Sequence, residues 1–346
     1  MNRRDFVVET KGIAFTQSAF GRVDRLLQQS GRAVSVFRAR RTTTAAAHGF
    51  ATCVKVVGIG STGDAVLRLL SADGVGVVAE TISIGADPAT FAHDENLRPW
   101  EHEGDGHLAS PDSLAAAAST MLDGTHLAII VVGDADAADL RLATGLVGMA
   151  RQAGALTFAM IAPQHAKYAP GADQRRNLAM KELTAAGAWL VRGPMLEAGE
   201  LARARSLARQ LAAAVLHPIV SNIRDLVEIL AGKLIGIDFD DLRCCFPGSG
   251  VVSHATGQGV CNDMAGLAAR RALAGRGIVR ALSSASGIVV TIEGHQAAIK
   301  MKHVEEVLDV IYPALPAGIP RICGTVFNDR MPCHMLGVGI YVAQLV

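Results

Sequence analysis

From residue 53 onward, two kinds of segment alternate along this chain. Short unbroken apolar runs at Val54–Val57, Val75–Ala79, Leu127–Val132, Leu156–Ile161 and Trp189–Val191 have the length and composition of strands buried on both faces. Between them lie Ala- and Leu-rich stretches whose apolar positions recur every three or four residues, the period of a helix with one face on a core. This alternation predicts an α/β domain with a parallel sheet. A long helical stretch follows from Glu197 to Leu234, broken near Pro218, which has no N–H to donate. The texture then changes: helix Met264–Leu273, strand Ile288–Ile292, helix Val304–Ile311, and strands Arg321–Phe327 and Leu336–Val342 describe a smaller α+β domain. Before residue 53 the only periodic segment is Phe20, Val23, Leu26 and Leu27, stopped by Gln28-Gln29-Ser30-Gly31, and the first core strand is expected near Val54.

The length, 346 residues, suits two packed domains, and a composition half hydrophobic with 36 glycines suits tight strand-to-helix turns. A formal net charge of +1 excludes a whole-chain nucleic-acid binder, because such affinity comes from clustered cations against phosphates. Local charge is different. In residues 1–52, Arg3, Arg4, Arg22, Arg25, Arg32, Arg38, Arg40 and Arg41 face only Asp5, Glu9 and Asp24. This basic extension reads as a solvated tail or as an arm making weak contact with an anionic membrane. The six cysteines have neither zinc-ligand spacing nor a disulfide framework. With no secretory leader or membrane-length apolar run, a cytoplasmic location is expected.

Candidate chemistry begins at Val56-Val57-Gly58-Ile59-Gly60-Ser61-Thr62-Gly63, where a buried strand turns into the helix that starts near Asp64. Glycines let a ligand approach the backbone, and a helix start offers free N–H groups to an anion. Taken alone, Gly58, Gly60 and Gly63 form a dinucleotide fingerprint, with Glu80 read as the ribose-binding acid at the end of the next strand. An NAD-dependent Rossmann oxidoreductase is therefore one reading, and a tight turn with no ligand is another.

The rest of the chain favours a third. Val54-Lys55-Val56-Val57-Gly58-Ile59-Gly60 followed by Asp64-Ala65-Val66 resembles the first phosphate loop of FtsZ, VKVVGVGGGGxNAV, with one residue fewer. Leu127–Val132 with Gly133, and then Gly154-Ala155-Leu156-Thr157, resemble the FtsZ strand, glycine and GALT at the same separation. Val215-Leu216, Val220, Ile223, Asp225 and Leu226 are similar to the family's central helix. Leu234–Arg243 is similar to LINLDFADVR, the synergy loop through which one FtsZ subunit reaches its neighbour's nucleotide. Gly287–Ile292 and the helix around Val304–Ile311 match the family's C-terminal domain.

The resemblance, from Cys53 to Val346, implies an α/β fold of the tubulin/FtsZ superfamily. It divides the chain into a basic N-terminal extension (1–52), a parallel-sheet nucleotide-binding domain (53–218), a central helix end with synergy loop (219–243), and a smaller α+β C-terminal domain (244–346). It also implies GTP or GDP as cofactor, with Mg, at Gly58, Gly60, Ser61, Thr62, Gly63, Asp64 and Gly133. Asp238 and Asp241 would act catalytically on the neighbouring subunit. The implied partner is the chain itself or an authentic FtsZ-type subunit in head-to-tail assembly.

Three departures matter. Where the family reads MGGGTGTG after the Gly133 position, this chain has Asp134-Ala135-Asp136-Ala137-Ala138-Asp139-Leu140-Arg141. Carboxylates there suit a helix dipole but repel a triphosphate. The base-holding acid or amide falls at Ala213, and Asp64 replaces an Asn. The expectation is an accessory or regulatory FtsZ-like subunit with weak or lost GTP binding, against an active GTPase with a rewritten loop. Weaker candidates read as structural: Cys244-Cys245 as a buried strand edge, His102, Asp105 and His107 as surface loop, His217 as a helix face, and Asp240 as a solvated neighbour.

Overall fold

The computed structural model describes residues 34–39, 52–72, 79–85, 98–99, 107–108, 118–133, 136–162, 172–191, 222–227, 229–231 and 234–346. Most of the expected central helix, with Ala213, His217 and Pro218, lies outside them. So do the helical spacing at residues 20–27, His102 and Asp105, and Asp134.

The buried apolar runs form the middle of one mixed sheet. Strands β1 (Val34–Ala39), β2 (Val54–Ile59), β3 (Glu80–Gly85), β4 (Arg98–Pro99), β5 (His107–Leu108), β6 (Leu127–Gly133), β7 (Leu156–Ala162) and β8 (Trp189–Val191) come from the first part of the chain. The C-terminal part supplies β9 (Gly250–Val260), β10 (Gly287–Gly294), β11 (Arg321–Phe327) and β12 (Met335–Leu345). The order is β11-β10-β12-β9-β8-β7-β6-β2-β3-β1-β4, with β5 also on β1. The run from β8 to β3 is parallel, as predicted.

Every residue of β2, β6 and β7 is buried, and their side chains alternate between two cores. Val54, Val56, Leu127, Ile129 and Val131 face the helix α1 (Gly60–Ala72), whose Val66, Leu67 and Leu70 join them. Val57, Ile59, Ala128, Ile130 and Val132 face α2 (Ala137–Gln152) and α3 (Ala172–Ala186), represented by Leu140, Leu146 and Leu183. A third core lies between the C-terminal strands and the helices α5 (Met264–Leu273), α6 (Ile278–Leu282) and α7 (Met301–Ile311); the short α4 (Phe239–Cys245) precedes β9.

The two halves meet where β8 pairs with β9 through Trp189↔Gly250, Leu190↔Val251 and Val191↔Val252. Trp189 is fully buried there and donates its indole N–H to the Phe246 carbonyl at 3.1 Å. The Phe246 ring meets Phe158 and Trp189 edge to face at 4.9 and 5.4 Å.

Besides the two-residue β4 and β5, three strands differ from the sequence reading. First, of the strand expected at Val75–Ala79 all but Ala79 lies outside the described residues, and the strand described after it is Glu80–Gly85: Thr81-Ile82-Ser83-Ile84 alternates because only its Ile82 and Ile84 side meets the α2 core, while Ser83 faces α1. Second, Val34–Ala39, inside the basic extension, is a strand paired antiparallel with β3, so core pairing begins before Val54. Third, β9 was not expected. Its glycines weaken the strand signal, yet α5 requires them, because a Cβ on Gly257 or Gly259 would overlap the α5 backbone at Ala268 or Met264.

Candidate functional site

The strands β2 and β6 are parallel neighbours, with Gly58 opposite Val131 and Ile59 opposite Val132, so α1 and α2 start side by side at the carboxyl edge of the sheet. In open α/β sheets that edge is where ligands settle. Of the predicted residues, the structure gathers Gly58, Gly60, Ser61, Thr62, Gly63, Asp64 and Gly133 here, with Gly133 closing β6.

The glycines have distinct causes. Gly58 and Gly63 lie backbone against backbone, so a Cβ on either would overlap the other; they let α1 pack onto β2 and need no ligand to explain them. Gly60 is the left-handed one, at φ 66°, and a Cβ on it would overlap the Asp139 carboxylate, which comes from the first turn of α2. Ser61 is exposed and Thr62 half-buried.

Asp64 points inward. It is buried, and the Ser83 hydroxyl donates to its Oδ1. Burial pushes its carboxyl up to about 6, the Ser83 hydrogen bond and the Arg68 charge offsetting only part of that. The expected extra charge toward a ligand is thus turned to β3.

At the start of α2, Asp136 is the N-cap: its side-chain oxygen accepts the Ala138 N–H at 2.8 Å. With Asp139 in the same turn, the chain's own carboxylates serve this helix start. A triphosphate does not fit the arrangement as it stands, since one N–H is already taken and a carboxylate lies over Gly60.

Asp238 and Asp241 lie elsewhere. Asp238 caps α4, accepting the Asp241 N–H at 2.8 Å, and both acids are exposed with Asp240. Arg243 of α4 donates to the Gly154 carbonyl at 3.0 Å, just before β7, and Phe239 meets His126, just before β6, at 5.6 Å edge to face. The acidic loop therefore sits at the amino edge of the sheet. The length of β6, roughly 20 Å at about 3.3 Å per residue, separates it from the glycine-rich turn. These acids cannot serve the turn of their own chain.

Glu80 is on the wrong edge for the dinucleotide reading. It opens β3, paired with Lys55, about 16 Å along the strand from Gly60.

Cys245 is buried, its thiol donating to the Ile288 carbonyl at 3.5 Å and pushed up to about 11 chiefly by burial, so it is no nucleophile. Among the described residues no group of three or more His, Cys, Asp or Glu side chains could hold a metal.

Sequence reasoning missed a buried polar network behind the acidic loop. Tyr341 of β12 donates to Asp225 at 3.0 Å and approaches Asn222 at 3.4 Å, both on the helical segment 222–227. Arg224 bridges to Glu293 of β10, which also accepts from Asn328 at 2.7 Å. His254 stacks on Tyr341 with ring centroids 4.2 Å apart. A lone Asp and Asn on an apolar helix were the available signal.

No family model matches the sequence. The chain is 26% identical over 257 residues to cell division protein FtsZ 2 of Rhizobium meliloti (strain 1021), covering 70% of this chain and 73% of that protein. Among solved structures, an FtsZ dimer from M. jannaschii superposes with a TM-score of 0.69 at 17% identity, over 84% of this chain and 88% of that one. Sequence and fold together support a protein of the tubulin/FtsZ superfamily. Within that superfamily its fold also resembles TubZ of Bacillus thuringiensis serovar israelensis, seen as GDP-form protofilaments, with TM-score 0.60, 9% identity and 86% of each chain covered. CetZ from Methanosaeta thermophila strain DSM 6194 gives 0.57 at 12% identity, over 84% of this chain and 86% of that one. The superfamily fold takes in the smaller C-terminal half as well as the parallel sheet. No described helix is long and apolar enough to cross a membrane.

Proposed function

We propose that this chain is an accessory or regulatory FtsZ-like subunit of a cytoplasmic division or cytoskeletal filament, with weak or lost binding of GTP. The observation that carries the reading is the placement of two unlike surfaces on opposite edges of one sheet. The glycine-rich turn is at the carboxyl edge, crowded by Asp136 and Asp139, and Asp238 and Asp241 stand exposed at the amino edge. A subunit with two different end faces assembles head to tail, and one with a single working face adds to a partner without supporting further growth. The carboxyl face fits a triphosphate poorly, whereas the amino face keeps its acids in solvent. Self-assembly and co-assembly with an authentic FtsZ-type subunit use the same two faces; the crowded carboxyl face favours co-assembly. Magnesium would enter only with a nucleotide, supplied at the joint between two subunits.

The test mixes the purified chain with the FtsZ of the same cell and follows phosphate release and light scattering. The mixture is expected to differ from FtsZ alone in GTP turnover or filament length. Asp238→Asn with Asp241→Asn should abolish any rise in turnover while association persists; Asn at 238 keeps the oxygen that caps α4, so the loop survives the change. A mixture indistinguishable from FtsZ alone in both readouts refutes co-assembly.

A further inference from the structure

The turn that opens α1 is shaped around an anion belonging to the same chain. Gly60 is the first residue of α1 and holds a left-handed φ of 66°. The space its missing side chain leaves is taken by the carboxylate of Asp139. That side chain arrives from the first turn of α2, on the neighbouring strand-and-helix unit. Asp136, three residues earlier, is committed to capping α2, and Asp64 is turned beneath α1 to Ser83. Of these three acids only Asp139 lies over the turn.

We propose that Asp139 is an intramolecular anion standing where a phosphate would lie over Gly60, so that the site is closed by its own side chain rather than dismantled. The proposal rests on the reading that GTP binding is weak, and it names the cause. Negative charge at a helix start is favourable, so the carboxylate is held there by the same fields that would hold a phosphate. Tethered to α2, it competes as an intramolecular ligand at a local concentration on the order of millimolar or above. A free polyphosphate must displace it and then sit beside the displaced like charge. The glycines beneath the plug are intact: Gly60 keeps its left-handed backbone, and Gly58 and Gly63 keep α1 tight on β2. Removing one carboxylate should therefore reopen the position.

Two measurements test this on the full chain. In calorimetric titrations with inorganic triphosphate and with GTP, each with magnesium, the wild type is expected to bind neither below about millimolar. Asp139→Ala should tighten triphosphate binding at least tenfold, and Asp139→Asn less, since the amide keeps the shape while losing the charge. The second measurement reads only folding: Gly60→Ala should lower Tm strongly in the wild-type background and much less in Asp139→Ala, because the overlap is gone and only the left-handed backbone strain remains. An equal Tm loss in both backgrounds would overturn the proposal. So would a folded Asp139→Ala protein with no gain toward triphosphate, which leaves the weak-binding reading standing. Micromolar GTP binding by the wild type would overturn both.

Discussion

Replacing Asp64 with Asn should stabilise the protein at neutral and alkaline pH and do little in acid. The carboxyl is buried beneath α1, accepts from Ser83, and is raised from 3.8 to about 6, first by burial. A group whose native pKa lies above its unfolded value favours the fold fully when protonated, below about pH 4. That contribution fades as pH climbs through about 6 and is absent above it. A shift of about 2 pH units at about 1.4 kcal/mol each puts the loss at up to about 3 kcal/mol, an upper bound for the native state of the ionised form. Asn keeps an oxygen for the Ser83 hydroxyl and does not titrate. The difference in unfolding free energy between Asp64→Asn and wild type should thus move by roughly 2–3 kcal/mol in favour of the variant between pH 4 and pH 7.5. Urea denaturation across that range measures it, and every group common to both proteins cancels in the difference. A pH-independent difference would show that Asp64 is ionised at low cost and that the burial argument fails.

Tyr341→Phe should cost about 1–3 kcal/mol, since the buried Asp225 loses the hydroxyl that donates to it at 3.0 Å; chemical denaturation reads this. Deleting residues 1–30 should abolish sedimentation with anionic vesicles at low salt, if the arginine-rich arm binds them, and leave Tm near that of the full chain. Deleting residues 1–45 should lower Tm, because Val34–Ala39 is lost from the sheet.

The parallel core was legible because β2, β6 and β7 are buried on both sides and leave uninterrupted apolar runs of strand length. Glu80–Gly85 was hidden for the opposite reason: only one side of it meets an apolar core, and Ser83 is spent on Asp64, a partner 19 residues away that no local pattern reveals. Val34–Ala39 was hidden among arginines, and β9 among glycines whose need arises only when α5 lies across them. The glycine-rich turn and the acidic loop could both be found in sequence. Their separation could not, because it follows from which end of the sheet each occupies. The Asp139 contact was readable as a charge in the wrong loop but not as a contact, since that depends on β2 and β6 being neighbours.

The backbone contact between Gly58 and Gly63 bears on how such sequences drift over time. Any larger residue at either position would push α1 off β2, so both glycines are held by folding alone. A lineage that ceased to use nucleotide would lose the phosphate-facing residues and keep these two. In such descendants a glycine-rich fingerprint is a fossil of architecture, and its persistence records that the helix still packs, whatever has become of the ligand.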